Sequence, residues 1–189
     1  MPSNVAGPLV QTAGPTEGAA LRLLLHDLIR DVTGLAGTLV RPMWQPEPPP
    51  VPAITVDWCA FSIVSQTPDA NAYHDQDSDT SAKIVRHEDL EVLCAWYGPN
   101  CQDYAGRLRD ALDLSQNRDT LRAAGIGYVG SSGTMRVPEQ INARWFDRAD
   151  LTLSFRREIR RTYAVMKFLG VTGTITTDNT EPLTHTWQA

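Results

Sequence analysis

Asp75, Asp77 and Asp79 follow His74 at the alternate spacing with which a calcium-binding loop opens. Such a loop needs glycine at its sixth position for a sharp turn and a bidentate glutamate at its twelfth. Counted from Asp75 these positions hold Thr80 and Arg86, so the motif fails at both and the stretch reads as a solvated acidic loop. Gly125-Ile-Gly127-Tyr-Val-Gly130 matches the letters of a dinucleotide fingerprint. That fingerprint works by following a strand and opening a helix whose amino terminus meets a pyrophosphate. Here the glycines follow a helix pattern, Ile126 to Val129 reads as a short strand, and nothing nucleates a helix before Pro138. Ser131 and Ser132 have no neighbouring base and read as turn formers. His26 beside Asp27 has no nucleophile near it and reads as a capped or half-exposed histidine. No catalytic, cofactor-binding or metal-ligating residue is assigned, no cofactor is implied, and the chain is expected not to be an enzyme.

Charge and cysteine usage narrow the classes further. The chain has 17 basic and 22 acidic residues, a net charge of -5, which is a poor balance for a protein that neutralises phosphates. Cys59, Cys94 and Cys101 are odd in number and form no CxxC pair, so reduced, mostly buried thiols are expected rather than a disulfide framework or a zinc knuckle. No basic residue precedes Arg22, and the apolar cluster Leu21 to Ile29 is interrupted by Arg22, His26 and Asp27, so neither a signal peptide nor a membrane partner is expected.

A chain of 189 residues can fill one core of ordinary size. Residues 1–18, mixing Pro, Gly, Ala, Ser and Thr, are expected to form a flexible arm. Residues 19–177 are expected to fold as a single α+β domain with an exposed loop at 66–81, and 178–189 to be a tail with Trp187 as a docking residue. Leu21, Leu24, Leu25, Leu28 and Val32 recur at helical spacing, with Gly34 as terminator. Thr38 to Trp44 reads as a short strand, after which Pro46, Pro48, Pro49, Pro50 and Pro52 impose an extended path containing two PxxP patterns. Ile54, Val56, Trp58 and Ala60 place a strand next, with Phe61 and Ile63 implying cover on both sides. Lys83 to Tyr97 is a second long strand, with Leu90, Val92, Cys94 and Trp96 on one face. Asn100 is placed to cap a helix carrying Tyr104, Leu108, Ala111 and Leu112, and a short helix from Ser115 ends at Gly125. Val171 to Thr177 has strand propensity. The expected fold is therefore α+β, a mostly antiparallel sheet of long strands packed against two to three helices on one face.

The run Ala149 to Tyr163 organises the rest. Ala149, Leu151, Leu153, Phe155, Ile159 and Tyr163 alternate with polar residues, the period of a strand with one buried face. Arg157 and Arg161 fall on that apolar face, and an unpaired guanidinium is too costly for one domain's interior. One reading is that this half of the strand meets a neighbouring copy; another is a solvated strand end with arginine stems lying over the sheet. The first reading names Arg156, Arg157, Glu158, Arg160, Arg161 and Tyr163, with Arg86 and Glu88 of the other long strand, as subunit-interface candidates.

The segments Leu23 to Gly34, Leu39 to Pro46 with Asp57 to Phe61, and Ala149 to Arg161 resemble the neck or tail terminator proteins of tailed bacteriophages and prophages, over roughly residues 20–165. The resemblance implies a virion protein, assembled in the host cytoplasm. It would form a ring of six copies on the tail tube, end tube growth, and contact the tube, the sheath where present and head-tail connector proteins, while DNA passes through its channel. Another connector or completion ring of the same junction, and a nucleic-acid-binding module, are the alternatives. The second is disfavoured because Arg156, Arg157, Arg160 and Arg161 divide between the two faces of the strand with Glu158 among them.

Overall fold

The computed structural model describes residues 7–78, 80–165, 170–175 and 183–188, with the backbone alone for 76, 77 and the last two segments. In chain order the strands and helices are β1 (Gln11–Ala13), α1 (Gly18–Thr33), β2 (Val40–Pro42), β3 (Trp58–Pro68), β4 (Tyr73–Ser78), β5 (Ser81–Tyr97), α2 (Cys101–Leu112), α3 (Asp119–Ala123), β6 (Ile126–Ser131), β7 (Met135–Arg136), β8 (Glu139–Ile141), β9 (Arg144–Phe146), β10 (Arg148–Ala164), β11 (Gly170–Ile175) and β12 (Leu183–Gln188). The chain divides into two compact units: residues 15–72 with 85–159, and residues 1–14, 73–84 and 160–189.

The first unit is an α+β sandwich. Its sheet runs β10, β5, β3, β2, with β6 and β7 on β10. β10 pairs antiparallel with β6 and β7, as β3 does with β5, while β2 runs parallel to β3. The period of two seen in the sequence becomes physical along β10, where burial alternates without a break from Arg148 to Ile159. Ala149, Leu151, Leu153 and Phe155 line one face with Leu90, Val92, Cys94 and Trp96 of β5 and Cys59 and Phe61 of β3. The helices cover this face. Leu21, Leu25, Leu28 and Ile29 form the buried stripe of α1, and Cys101, Ala105, Leu108 and Leu112 that of α2. Each such side chain contributes roughly 1.5–3 kcal/mol by leaving water. Helix α1 ends where expected: Gly34 adopts φ 74°, and its N–H returns to the Arg30 carbonyl at 2.8 Å. On the opposite face a smaller cluster holds Trp58, Ala60, Ala95, Tyr97 and Phe146.

Several local expectations change. The strand placed at Ile54 starts instead at Trp58, because Val56 N–H closes a turn onto the Ala53 carbonyl at 2.9 Å. From Trp58 to Phe61 every residue is buried, as cover on both sides requires. Asn100 stands at the head of α2 without a side-chain cap; its amide and its backbone N–H both donate to Asp57, at 2.9 and 2.8 Å. Gly98 sits against the same carboxylate, and a Cβ there would lie 2.5 Å from Asp57 Oδ1. Residues 138–147, left without an element from sequence, form the β8–β9 hairpin. Gly125 does end α3, with φ 73°, and the glycine-rich run is strand β6 rather than the entrance to a helix.

In the second unit, Gln11 and Ala13 of β1 pair with Tyr163 and Thr162 of β10, so part of the expected arm is a strand. The expected loop 66–81 is mostly strand as well: β3 reaches Pro68, β4 spans Tyr73–Ser78 and pairs with β5, and β5 begins at Ser81. Backbone hydrogen bonding overrides the polar composition there, since a hairpin satisfies its own N–H and C=O groups whatever its side chains. β11 and β12 pair in register from Gly170↔Gln188 to Ile175↔Leu183, which places a strand in the expected tail. The side chain of Trp187 lies outside what is described, as do residues 166–169.

Candidate functional site

Arg157 is the one buried charged residue among those described, 4% exposed at the end of the apolar row of β10. Its guanidinium is fully engaged within its own chain. It donates to Glu88 Oε1 through Nε and Nη2 at 2.7 and 2.6 Å and to the Thr16 carbonyl at 2.6 Å, with Glu17 at 3.8 Å. The pair joins two strand positions 69 residues apart and ties down the backbone that leads into α1. A guanidinium on this face is therefore paired within its own subunit, so its burial by itself does not require a neighbouring copy. Two charge-assisted N–H groups converging on one carboxylate oxygen, with a third on a backbone carbonyl, compensate the desolvation that made burial costly.

The other face of the same segment is a surface network. Arg156 bridges Asp69 at 2.6 Å and Asp89 at 2.8 Å, and these hydrogen bonds, first to Asp89 and then to Asp69, raise its pKa. Glu158 faces His87 at 3.8 Å. Arg86 is half-buried. In the second unit, Arg161 donates to Gln11 Oε1 at 2.7 Å, Tyr163 stands opposite Gln11, and Arg160 is exposed. The fold thus pairs Arg157 with Glu88 on one face of β10, leaves Arg156 and Glu158 to Asp69, Asp89 and His87 on the other, and sets Arg161 and Tyr163 against β1.

His74, Asp75 and Asp77 of the calcium-like stretch lie on β4, Asp79 lies outside the described residues, and among the described residues no cluster of His, Cys, Asp and Glu could hold a metal ion. The Nε2 of His26 donates to the Gly37 carbonyl at 3.0 Å, and its Nδ1 lies 3.0 Å from Asp27, a structural position at the foot of α1. Ser132 accepts from Thr152 N–H at 3.0 Å and donates to the Gly133 carbonyl at 3.0 Å, as a turn former does. The three cysteines are free and buried.

A second concentration of unusual residues surrounds the cluster on the sheet face away from the helices. Trp58 and Tyr97 are cross-strand partners, stacked 4.2 Å apart at 8°. Arg41 lies over the Trp58 ring and Arg148 over Tyr97, at 5.7 and 5.5 Å. Tyr97 donates to Glu139 at 2.8 Å, and Arg148 clamps both Glu139 and Asp150 at 2.7 Å. Burial pushes the Tyr97 phenol well up, reinforced by Glu139; burial also pushes Glu139 up, but Tyr97 and Arg148 outweigh it and leave its carboxyl below the usual value. Beside this network opens a groove of about 370 Å³, walled by the proline segment and by Trp44. Trp44 and Trp145 are both strongly exposed, the first past the end of β2 and the second on β9, and their apolar rings at the surface are the signal the sequence carries for them.

The geometry is that of a protein that presents surfaces. The family model described as phage neck terminator protein matches residues 19–180. The chain belongs to that family. No curated protein matches it. A neck terminator is a structural component of the virion that meets other tail and head proteins, which suits a molecule whose distinctive features are a strand network, a groove and displayed aromatics. Among the described residues, no helix of this neck terminator is long and apolar enough to cross a membrane.

Proposed function

We infer that this chain is the ring-forming terminator of a phage neck: about six copies close on the end of the tail tube, stop its growth and present the face to which head-side connector proteins attach. The observation that carries this reading is the family match over residues 19–180. Charge supports it. Six copies at -5 each carry -30, and a channel in such a ring repels phosphates so that DNA slides without sticking. Within this reading Arg156, Arg157, Glu158, Arg160, Arg161 and Tyr163, with Arg86 and Glu88, are the contact candidates between copies or toward the tube, Arg157 and Glu88 also meeting each other within the subunit. The decisive experiment adds the purified chain to growing tail tubes and images them by negative stain. Ring-shaped density on one tube end, with elongation halted, is expected; tubes that keep growing with bare ends would reject the reading.

A further inference from the structure

Two features of the sequence have no use in the terminator reading as it stands, the proline run and the acidic stretch after Tyr73. The fold gives each a definite surface. Pro48, Pro49 and Trp44 line the groove together with the Trp58–Tyr97 stack. Trp44 is 76% exposed and holds φ 56°, a left-handed conformation that a bulky residue adopts only when its flanks impose it. They do: Met43 N–H donates to the Phe61 carbonyl at 2.8 Å, and the Gln45 side chain donates to the Pro42 carbonyl at 2.9 Å. The indole is thereby held exposed along the groove. Next to the groove, and sharing Val51 with it, a second open pocket is walled by Ile54, Ile141 and Arg144. Across the two pockets Arg41, Arg148 and Arg144 stand against Glu139 alone. Arg148 is neutralised, but Arg41 donates only to the Thr38 and Pro50 carbonyls, and neither it nor Arg144 has a carboxylate partner among the described residues. The result is an apolar, locally positive band on a chain of net charge -5.

β4 has the complementary character. Tyr73 is 67% exposed, Asp75 follows it, and the sequence adds Asp77. We propose that the groove receives the Tyr73–Asp75 segment of a second copy of this chain, with Tyr73 against Trp44 and the proline wall and Asp75 facing Arg41. The proposal rests on the ring reading above: a closed ring requires two different, mutually complementary patches on each copy, and this is such a pair. Aromatic and arginine side chains are also those that concentrate binding energy in interfaces.

The test is sedimentation velocity of the full chain over a concentration series, with Arg41→Glu, Asp75→Arg and their equimolar mixture. Wild type associates; each variant alone sets like charges across the contact and associates at least about tenfold more weakly. In the mixture every contact can again pair opposite charges, by alternating the two variants, so association returns, which no misfolded chain could supply. Trp44→Ala and Tyr73→Ala each weaken association roughly thirtyfold or more. Variants that associate like wild type, or a mixture that fails to recover, would place the contact between copies elsewhere and leave the ring reading intact. A wild type that stays monomeric throughout overturns the pairing too, and imaging of tube ends then judges the ring on its own.

Discussion

Arg157 carries the clearest energetic consequence of any side chain here. With Glu88 removed, its guanidinium stays buried beside one backbone carbonyl and the distant Glu17, and an uncompensated buried charge costs about 3–5 kcal/mol. Glu88→Ala should therefore lower the unfolding free energy by that order, measured by urea denaturation. Arg157→Glu, which places two carboxylates together, should cost at least as much. The half-buried Arg161, which donates to Gln11, should tolerate Arg161→Ala within about 1 kcal/mol. The Tyr97–Glu139–Arg148 network predicts a two-sided pH profile. Glu139 has a depressed folded pKa, so the stability it contributes is present above its ordinary value of 4.5 and lost as pH falls below it. Tyr97 has a raised folded pKa, so its contribution is complete below the ordinary phenol value of 10.0 and lost as pH rises beyond it. Thermal melts across pH should show both flanks, and Glu139→Gln should flatten the acid side.

The elements differ in how much local information they needed. β10 and α1 follow from periodicity: burial alternates along β10 from Arg148 to Ile159 and then lapses, and in α1 Leu21, Leu25 and Leu28 are buried while Leu24 and Val32 are half-buried. Phe155→Ala, in the middle of the buried row and packed against Tyr128, should cost about 3–5 kcal/mol. The β8–β9 hairpin is different. Its two turn residues, Asn142 and Ala143, both hold positive φ, 50° and 60°, as a two-residue hairpin requires. Sequence reading missed it because the second residue is alanine where glycine would announce the turn. Ala143→Gly should therefore stabilise the protein by about 0.5–1 kcal/mol, read as a raised melting temperature, since relief of left-handed strain exceeds the entropy glycine adds to the unfolded chain. β4 was hidden for the opposite reason: its residues look like loop, and only pairing with β5 makes them strand.

For the protein as a structural part of a phage neck, surfaces matter more than pockets for chemistry. The α+β class, the long antiparallel strands, the helix-covered face and the family were all legible in the amino-acid order, because a period of two or 3.6 is a property of neighbouring residues and survives without knowledge of the fold. What could not be read was which charge meets which. Arg157 looked unsatisfied because its partner lies 69 positions away, and strand register alone brings Glu88 to it. Likewise Trp44 and the proline run became one wall of a groove only when β2 was laid beside β3, since contacts between distant segments depend on register and packing that no local pattern encodes.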